Sequence, residues 1–340
     1  VSQARVGLNV GILPGSIRKA RAMQVFERSL IETHCVGEEW PQFCGTVSQG
    51  ERFAVETVEV GPNGPVEVRG VRRGDAICIS VDAVRIEPPF YAPQSGPTFL
   101  GCGEPIPLRH EEGWFWWPAH FCLRARPSVG NVAVLPEPDE EIRELCRYQI
   151  HGPDPFARNL RGWRRVVRDT RGKHCHQDCA ALAAGARIYM RANVDGAGVC
   201  IDDVHGYIGE GELGFGAIEV NATVELTVER SDRWAVDWPV IETGEGFMVV
   251  VSYTGTYVRR PVRRYVDLVK EAYIELRRLV SARLDIPVEE ANTITATACD
   301  IRNCALYGLG ENYIPRDRGR QPYDIAIAAS LPRSIFADAE

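Results

Sequence analysis

No stretch of this chain approaches the ~20 consecutive apolar residues that a membrane-spanning helix requires. The longest apolar runs, such as Phe247 to Val251, are strand-sized. An excess of positive charge is lacking too: 39 Lys and Arg stand against 46 Asp and Glu, a formal net charge of −7. A nucleic-acid partner needs a basic face to neutralise phosphates, so this balance argues against one. No Cys-x-x-Cys pair occurs. The 11 cysteines are odd in number and scattered, which fits reduced thiols and disfavours a disulfide framework. Several, Cys78 and Cys200 among them, sit in apolar strand-like runs, where cysteine behaves as a small hydrophobe. A secretory signal pattern is also missing: Val6 to Pro14 is short, is followed by Arg18, Lys19 and Arg21, and leads to no small-residue cleavage site. The expectation is a cytoplasmic protein with no membrane partner.

What is present is an ordinary globular balance, 45% apolar and 25% charged over 340 residues. That length suffices for two or three packed layers or two small domains. One local pattern occurs three times: Gln49-Gly50 before Phe53 to Glu56, Arg73-Gly74 before Ala76 to Val81, and Ala184-Gly185 before Arg187 to Met190. Each puts a glycine in a tight turn, where positive φ is cheap, and then alternates apolar with other residues. Period-two alternation marks a strand with one buried face. Such units predict a sandwich or barrel over a parallel α/β sheet. Further strands are expected at Arg187 to Val194, Ala217 to Glu229 and Met248 to Tyr253.

Residues 85–120 are rich in Pro and aromatics, including Trp114, Trp116 and Trp117, and read as an ordered excursion and not a linker. A short helix is expected around Asp139 to Arg147. The clearest helix lies between Pro261 and Leu284, where Val266, Leu268, Val269, Ala272, Tyr273, Leu276, Leu279 and Val280 form one apolar stripe. Pro287, followed by Glu289 and Glu290, starts a second helix towards residue 300. The fold class expected is therefore mainly β (β-sandwich/jelly-roll and small barrel) with an α/β C-terminal part. Its parts are an N-terminal extension (1–44), a β-rich part (45–136), a second β-rich part carrying the site motifs (137–260) and a helical C-terminal part (261–340), all compatible with one interwoven unit.

The chemistry concentrates in two places. Gly172-Lys173-His174-Cys175-His176-Gln177-Asp178 places His174, His176 and Asp178 on one side if the segment is extended. Two imidazoles and a carboxylate make a zinc ligand set. The run is also similar to the HxHxDH of metallo-β-lactamase-type hydrolases, with Cys179 in place of the last His. The second place, Asp202-Asp203-Val204-His205 through Gly209-Glu210-Gly211-Glu212, gathers acids and a His among glycines. It reads as an acidic, glycine-rich turn between buried strands. Blander readings stand beside these: Asp178 capping a turn, His205 a satisfied loop histidine, Glu219 on the polar face of a strand.

Together these motifs resemble the acetamidase/formamidase family. That family carries HGGNxD, and here Asp178 precedes Gly185 and Tyr189 at the family's spacing. Its GDxHxxQGDGE and following strand are matched in register by Asp203, His205, Gly209, Glu210, Gly211, Glu212, Ala217, Ile218 and Glu219. Gly64-Pro65-Val66 through Gly74-Asp75 is similar to its TGPIYVEGAEPGD, and Pro127-Ser128-Val129-Gly130-Asn131 to its PFIGVMGVAP. Near the end, Asp300-Ile301-Arg302 and Leu331-Pro332-Arg333-Ser334-Ile335-Phe336 resemble its DLRI and LPKSIF. The departures are Lys173, His174 and Cys175 for its His and two glycines, His176 for its Asn, Ile208 for its Gln, and Glu210 for the first Asp of GDGE.

With the residues, the resemblance implies an amidase-type hydrolase acting on carbon–nitrogen bonds other than peptide bonds, with a small-molecule amide as substrate. A divalent metal, zinc from the imidazole-rich donors, would be held by His176, Asp178, Asp203 and His205, with His174 in reach. Glu212 or Glu219 would serve as general base, Asp178 sharing in catalysis. Lys173, Glu210 and Arg318 are substrate-binding candidates, because the Trp-rich excursion and Arg316-Asp317-Arg318-Gly319-Arg320 suit a substrate larger or more anionic than formamide. Rival readings are a thiol nucleophile at Cys175 or Cys179 beside His174 or His176, action on a lactam or imide, and a non-catalytic binding protein on the same scaffold. A homo-oligomer is expected, with Trp114, Trp116 and Trp117 either at its interface or under the Pro-rich segment.

Overall fold

Strand-forming segments follow from the turn glycines. A computed structural model describes residues 23–32, 42–58, 61–94, 103–118, 121–137, 177–213, 216–234, 237–254, 264–306 and 324–336. In it Gly50, Gly74 and Gly185 adopt φ of +74°, +90° and +90°, and each is followed by a strand. The strands are β1 (Gln24–Phe26), β2 (Gly45–Ser48), β3 (Arg52–Thr57), β4 (Asn63–Arg69), β5 (Ala76–Gln94), β6 (Gly103–Pro107), β7 (Arg109–Glu111), β8 (Trp114–Trp116), β9 (Cys122–Arg124) and β10 (Ser128–Val134). There follow β11 (Arg187–Arg191), β12 (Ala197–Tyr207), β13 (Ile218–Arg230), β14 (Val240–Glu242) and β15 (Gly246–Thr254). The C-terminal part holds α1 (Tyr265–Leu284), α2 (Val288–Ala298), β16 (Asp300–Leu306) and β17 (Asp324–Pro332). The mainly β class with helices near the C-terminus is as expected. The expected helix around residue 140 lies outside the described residues.

Among the described residues, fourteen strands form one branched sheet in the order β16-β17-β15-β14-β11-β5-β13-β12-β4-β2, with β10 on β12, β3 on β13, β1 on β3 and β6 on β5. The long strands β5 and β13 are its spine. β13 pairs along its length with β5, and its other edge passes from β12 to β3.

The period-two rule then sorts side chains into layers. On β5, Ile77 and Ile79 enter the main core while Cys78 enters a second one; on β11, Ile188 and Met190 part from Tyr189 in the same way. On β15, Met248 and Val250 face the main core and Phe247, Val249 and Val251 the second. These strands thus form a middle layer. One face meets the remaining strands, and the other is covered by α1, which buries Leu268, Ala272, Leu276, Leu279 and Val280 at helical spacing. Val266, expected in that stripe, is instead exposed. The helix starts at Tyr265, later than expected, where Arg264 and Asp267 bond reciprocally at its N-terminus. α2 stops at Ala298, where β16 takes over.

The aromatic excursion splits in two. Its first residues continue β5, and its last form a separate three-stranded sheet, β7-β8-β9. The tryptophans are not its buried anchor: Trp114 is exposed, and Trp116 and Trp117 are half-buried. Phe115 is the fully buried residue. Its ring lies 5.7 Å from Phe90 and 4.7 Å from His110, and a Cβ on Gly206 of β12 would fall 2.4 Å from it. Glycine at 206 therefore lets the small sheet dock on β12. Phe115→Ala should cost about 3–5 kcal/mol in urea unfolding; a loss below ~1 kcal/mol would show that the ring does not anchor this sheet.

Candidate metal centre

The site is built on the pairing of β10, β12 and β13. On β12 alternate residues share a face, so Asp203 and His205 point together while Asp202 points away. Asp202 accepts a hydrogen bond from the Gly61 N–H at 2.7 Å and fixes that turn. His205 lies opposite Glu219 of β13 on one side and opposite Ser128 of β10 on the other. A third arm follows the start of the 177–182 segment. Gln177 clamps to β10 as a strand would: its Oε1 accepts from Val132 N–H at 2.8 Å and its Nε2 donates to Val132 C=O at 3.2 Å. Asp178 N–H then donates to Gly130 C=O at 2.8 Å. A fourth arm is the turn after β12, which carries Glu212. It is tied down by Leu306 N–H donating to Gly211 C=O at 2.7 Å and by the bridge of Gly211 to Ala305.

These arms converge on one ring. His205 Nε2 lies 3.8 Å from Asp203 Oδ1, 3.9 Å from Glu212 Oε1 and 3.9 Å from Glu219 Oε2. Asp178, Asp203 and His205 offer donor atoms within 4.8 Å of one another, as do His205, Glu212 and Glu219. All five residues are buried, His205 completely. The backbone is forced to achieve this. Asp178, Asp203 and Glu212 adopt φ of +40°, +61° and +34°, three of the six non-glycine residues with positive φ among those described. Such conformations cost about 1–3 kcal/mol each and persist where the surroundings impose them. Gly130 is the other requirement. A Cβ there would meet Asp203 C=O at 2.4 Å, Asp178 Oδ1 at 2.7 Å and His205 Cε1 at 2.9 Å.

Four carboxylates around one imidazole, in a space from which water is largely removed, fit a bound divalent cation. Carboxylate oxygens and a neutral ring nitrogen are its usual ligands, and burying carboxylates side by side is otherwise costly. A small cavity of about 20 Å³ adjoins the cluster, walled by Asp178, Cys179, Glu210, Arg302, Asn303 and Cys304. It has room for roughly one water. Cys179 turns away from Asp178, with its sulfur 3.6 Å from Met248 Sδ. The Cys304 thiol beside it holds Cys179 below the usual thiol range, against the opposing effect of burial, and is itself pushed well up by that contact and by burial. A larger groove, about 300 Å³, lies between α1, α2 and β16 and contains none of the cluster residues.

Asp178, Asp203, His205, Glu212 and Glu219 are thus brought together. His174, His176, Lys173, Cys175 and Arg318 lie outside the described residues. Glu210 is not in the buried cluster; it is exposed and pairs with Arg302, Nη1 to Oε1, at 3.3 Å. The expected acidic turn needs correction. Asp202 to Tyr207 belong to β12 itself, and only 208–213 turn. Two residues went unassigned in the sequence: Gly130, and Ser128, whose buried side chain stands opposite His205. Their signal is cross-strand register, which a single sequence does not display.

The sequence model of the Acetamidase/Formamidase family matches residues 131–268, which span β10, the cluster and the start of α1. A predicted acetamidase/formamidase from the thermophile Thermoanaerobacter tengcongensis has a similar structure, with 18% identity, a TM-score of 0.70, and coverage of 93% of this chain and 98% of that one. An acetamidase from Yersinia enterocolitica superposes with a TM-score of 0.66 at 16% identity, covering 94% of each chain. One from Bacillus halodurans does so with 0.67 at 16% identity, covering 92% of this chain and 99% of that one. No curated protein sequence matches the chain. The resemblance carried by the motifs is thus matched by the family's sequence model over residues 131–268, and these structures share the fold.

Gly130→Ala should distort the cluster and lower stability by about 1–3 kcal/mol through overpacking, with loss of bound metal. Gly244→Ala, whose Cβ meets nothing within 4 Å, is the control. Elemental analysis and urea unfolding read both; equal behaviour of the two variants would show that close approach at Gly130 is not required.

Proposed function

We propose that this chain is a metal-dependent amidase that hydrolyses the carbon–nitrogen bond of a small non-peptide amide. The observation that carries the reading is the buried His205 ring, met at 3.8–3.9 Å by the carboxylates of Asp203, Glu212 and Glu219. The match of residues 131–268 to the acetamidase/formamidase family supports it.

Asp178, Asp203 and His205 would hold the cation. His174 and His176 are proposed to complete the set, and these imidazoles are why zinc is the metal named. When bound, the cation polarises a carbonyl and lowers the pKa of a nearby water towards ~7. The chain supplies the rest. Glu212 and Glu219 both face His205 Nε2, and one of them takes the proton from the attacking water. The same carboxylic acid then returns it to the leaving nitrogen, so that the C–N bond breaks to give a carboxylic acid and ammonia or an amine. Asp203 and Glu212, locked by their backbone conformations, need little reorganisation during the reaction. Lys173 and Arg318 remain proposed substrate contacts.

Ammonia release from a panel of short primary amides tests this. Activity should fall on chelation and return with zinc. His205→Ala should lose both metal and turnover. Glu212→Gln or Glu219→Gln, whichever removes the base, should lower kcat by roughly 10²–10⁴. Hydrolysis that survives both chelation and His205→Ala, or no ammonia from any amide, would sink the reading.

A further inference from the structure

The cavity beside Asp178 has an unusual mouth. Among the described residues its walls carry two carboxylates, the buried Asp178 and the exposed Glu210, and one cation, Arg302 of β16. Arg302 is half-buried and Glu210 exposed, and they touch through one contact, Nη1 to Oε1 at 3.3 Å. Among the described residues the Arg302 side chain makes no other hydrogen bond, so most of its planar fork of donors has no partner there.

A fastening role for this pair is redundant. The turn that carries Glu210 is already tied to β16 by the backbone bond from Leu306 N–H to Gly211 C=O and by the Gly211–Ala305 bridge. An exposed pair with one contact holds weakly and exchanges readily. The cavity itself, about 20 Å³, takes roughly one water. Arg302 and Glu210 wall the cavity beside Asp178, and the group best suited to take the place of Glu210 on the guanidinium is another carboxylate. It can engage the guanidinium through two parallel hydrogen bonds.

We propose that Arg302 is the specificity-determining residue of the site, and that it selects short amides carrying a carboxylate, with Glu210 as a built-in competitor that the substrate's carboxylate displaces. This rests on the amidase reading for the reaction, but not for the binding of the anion. Exchange of one carboxylate for another leaves the charge beside Arg302 unchanged, so entry of an anionic substrate costs little desolvation at the mouth. A neutral amide of equal length breaks the same ion pair and restores nothing.

The pair allows a test that separates recognition from architecture. Arg302→Gln and Glu210→Gln break the same ion pair, so a purely structural role makes both act in one direction. An anion site makes them act oppositely. Calorimetric titration of the metal-loaded protein with succinate, an inert short dicarboxylate, should show affinity falling about tenfold or more in Arg302→Gln and rising about threefold or more in Glu210→Gln. The ratio of kcat/KM for succinamate over neutral butyramide should shift the same way in each variant. Succinate binding with the opposite response but no amide turned over leaves the anion site standing and removes the hydrolytic reading. Amide turnover with succinate affinity and substrate ratio moved alike, or not at all, by the two substitutions overturns the anion site and leaves the amidase.

Discussion

The rest of the structure depends on the placement of one imidazole among four carboxylates inside a β-rich core. Charges of one sign resist such company in a medium less polar than water. Everything around His205 serves to hold them there. Glu219 is set by its register opposite His205, Asp203 by strand alternation, Asp178 by the Gln177 clamp on β10, and Glu212 by a turn anchored on β16. Left-handed backbone at three of these four acids, and a glycine where their approaches cross, are the local cost of the arrangement. A divalent cation held there, as proposed, would offset that cost.

The layered architecture explains why so many strands take part. Two arms of the site, β12 and β13, belong to the main core, while the turn bearing Glu210 and Glu212 leans on β16 at the end of the middle layer. The helices α1 and α2 therefore do not touch the chemistry but brace the layer whose edge positions it. The pair proposed to set specificity lies at the same junction. Arg302 and Glu210 come from the two layers that meet there, so the mouth of the cavity can vary without altering the ring at its base.

Much of this was legible in the sequence, for identifiable reasons. The strands after Gly50, Gly74 and Gly185 were readable because a tight turn followed by alternation is a local signal. So was α1, through its apolar stripe. The continuation of β12 past Ile201 was not, because Asp202 and Asp203 are polar neighbours that face opposite sides and have different tasks, one holding Gly61 and one facing His205. Read in line they look like the start of an acidic turn between buried strands. The roles of Gly130 and Ser128 were hidden for another reason: both follow from what lies across the sheet. Glu210 had the residue type of a cluster member, but its exposure and its pairing with Arg302 are products of tertiary structure.

The most direct test of the central claim is anomalous diffraction at the zinc edge, on crystals of protein purified without chelator. The account predicts one strong peak within about 2.0–2.2 Å of a His205 ring nitrogen and of carboxylate oxygens from the surrounding acids. A cluster without such a peak, its carboxylates bridged instead by water or by a lysine ammonium, would contradict it.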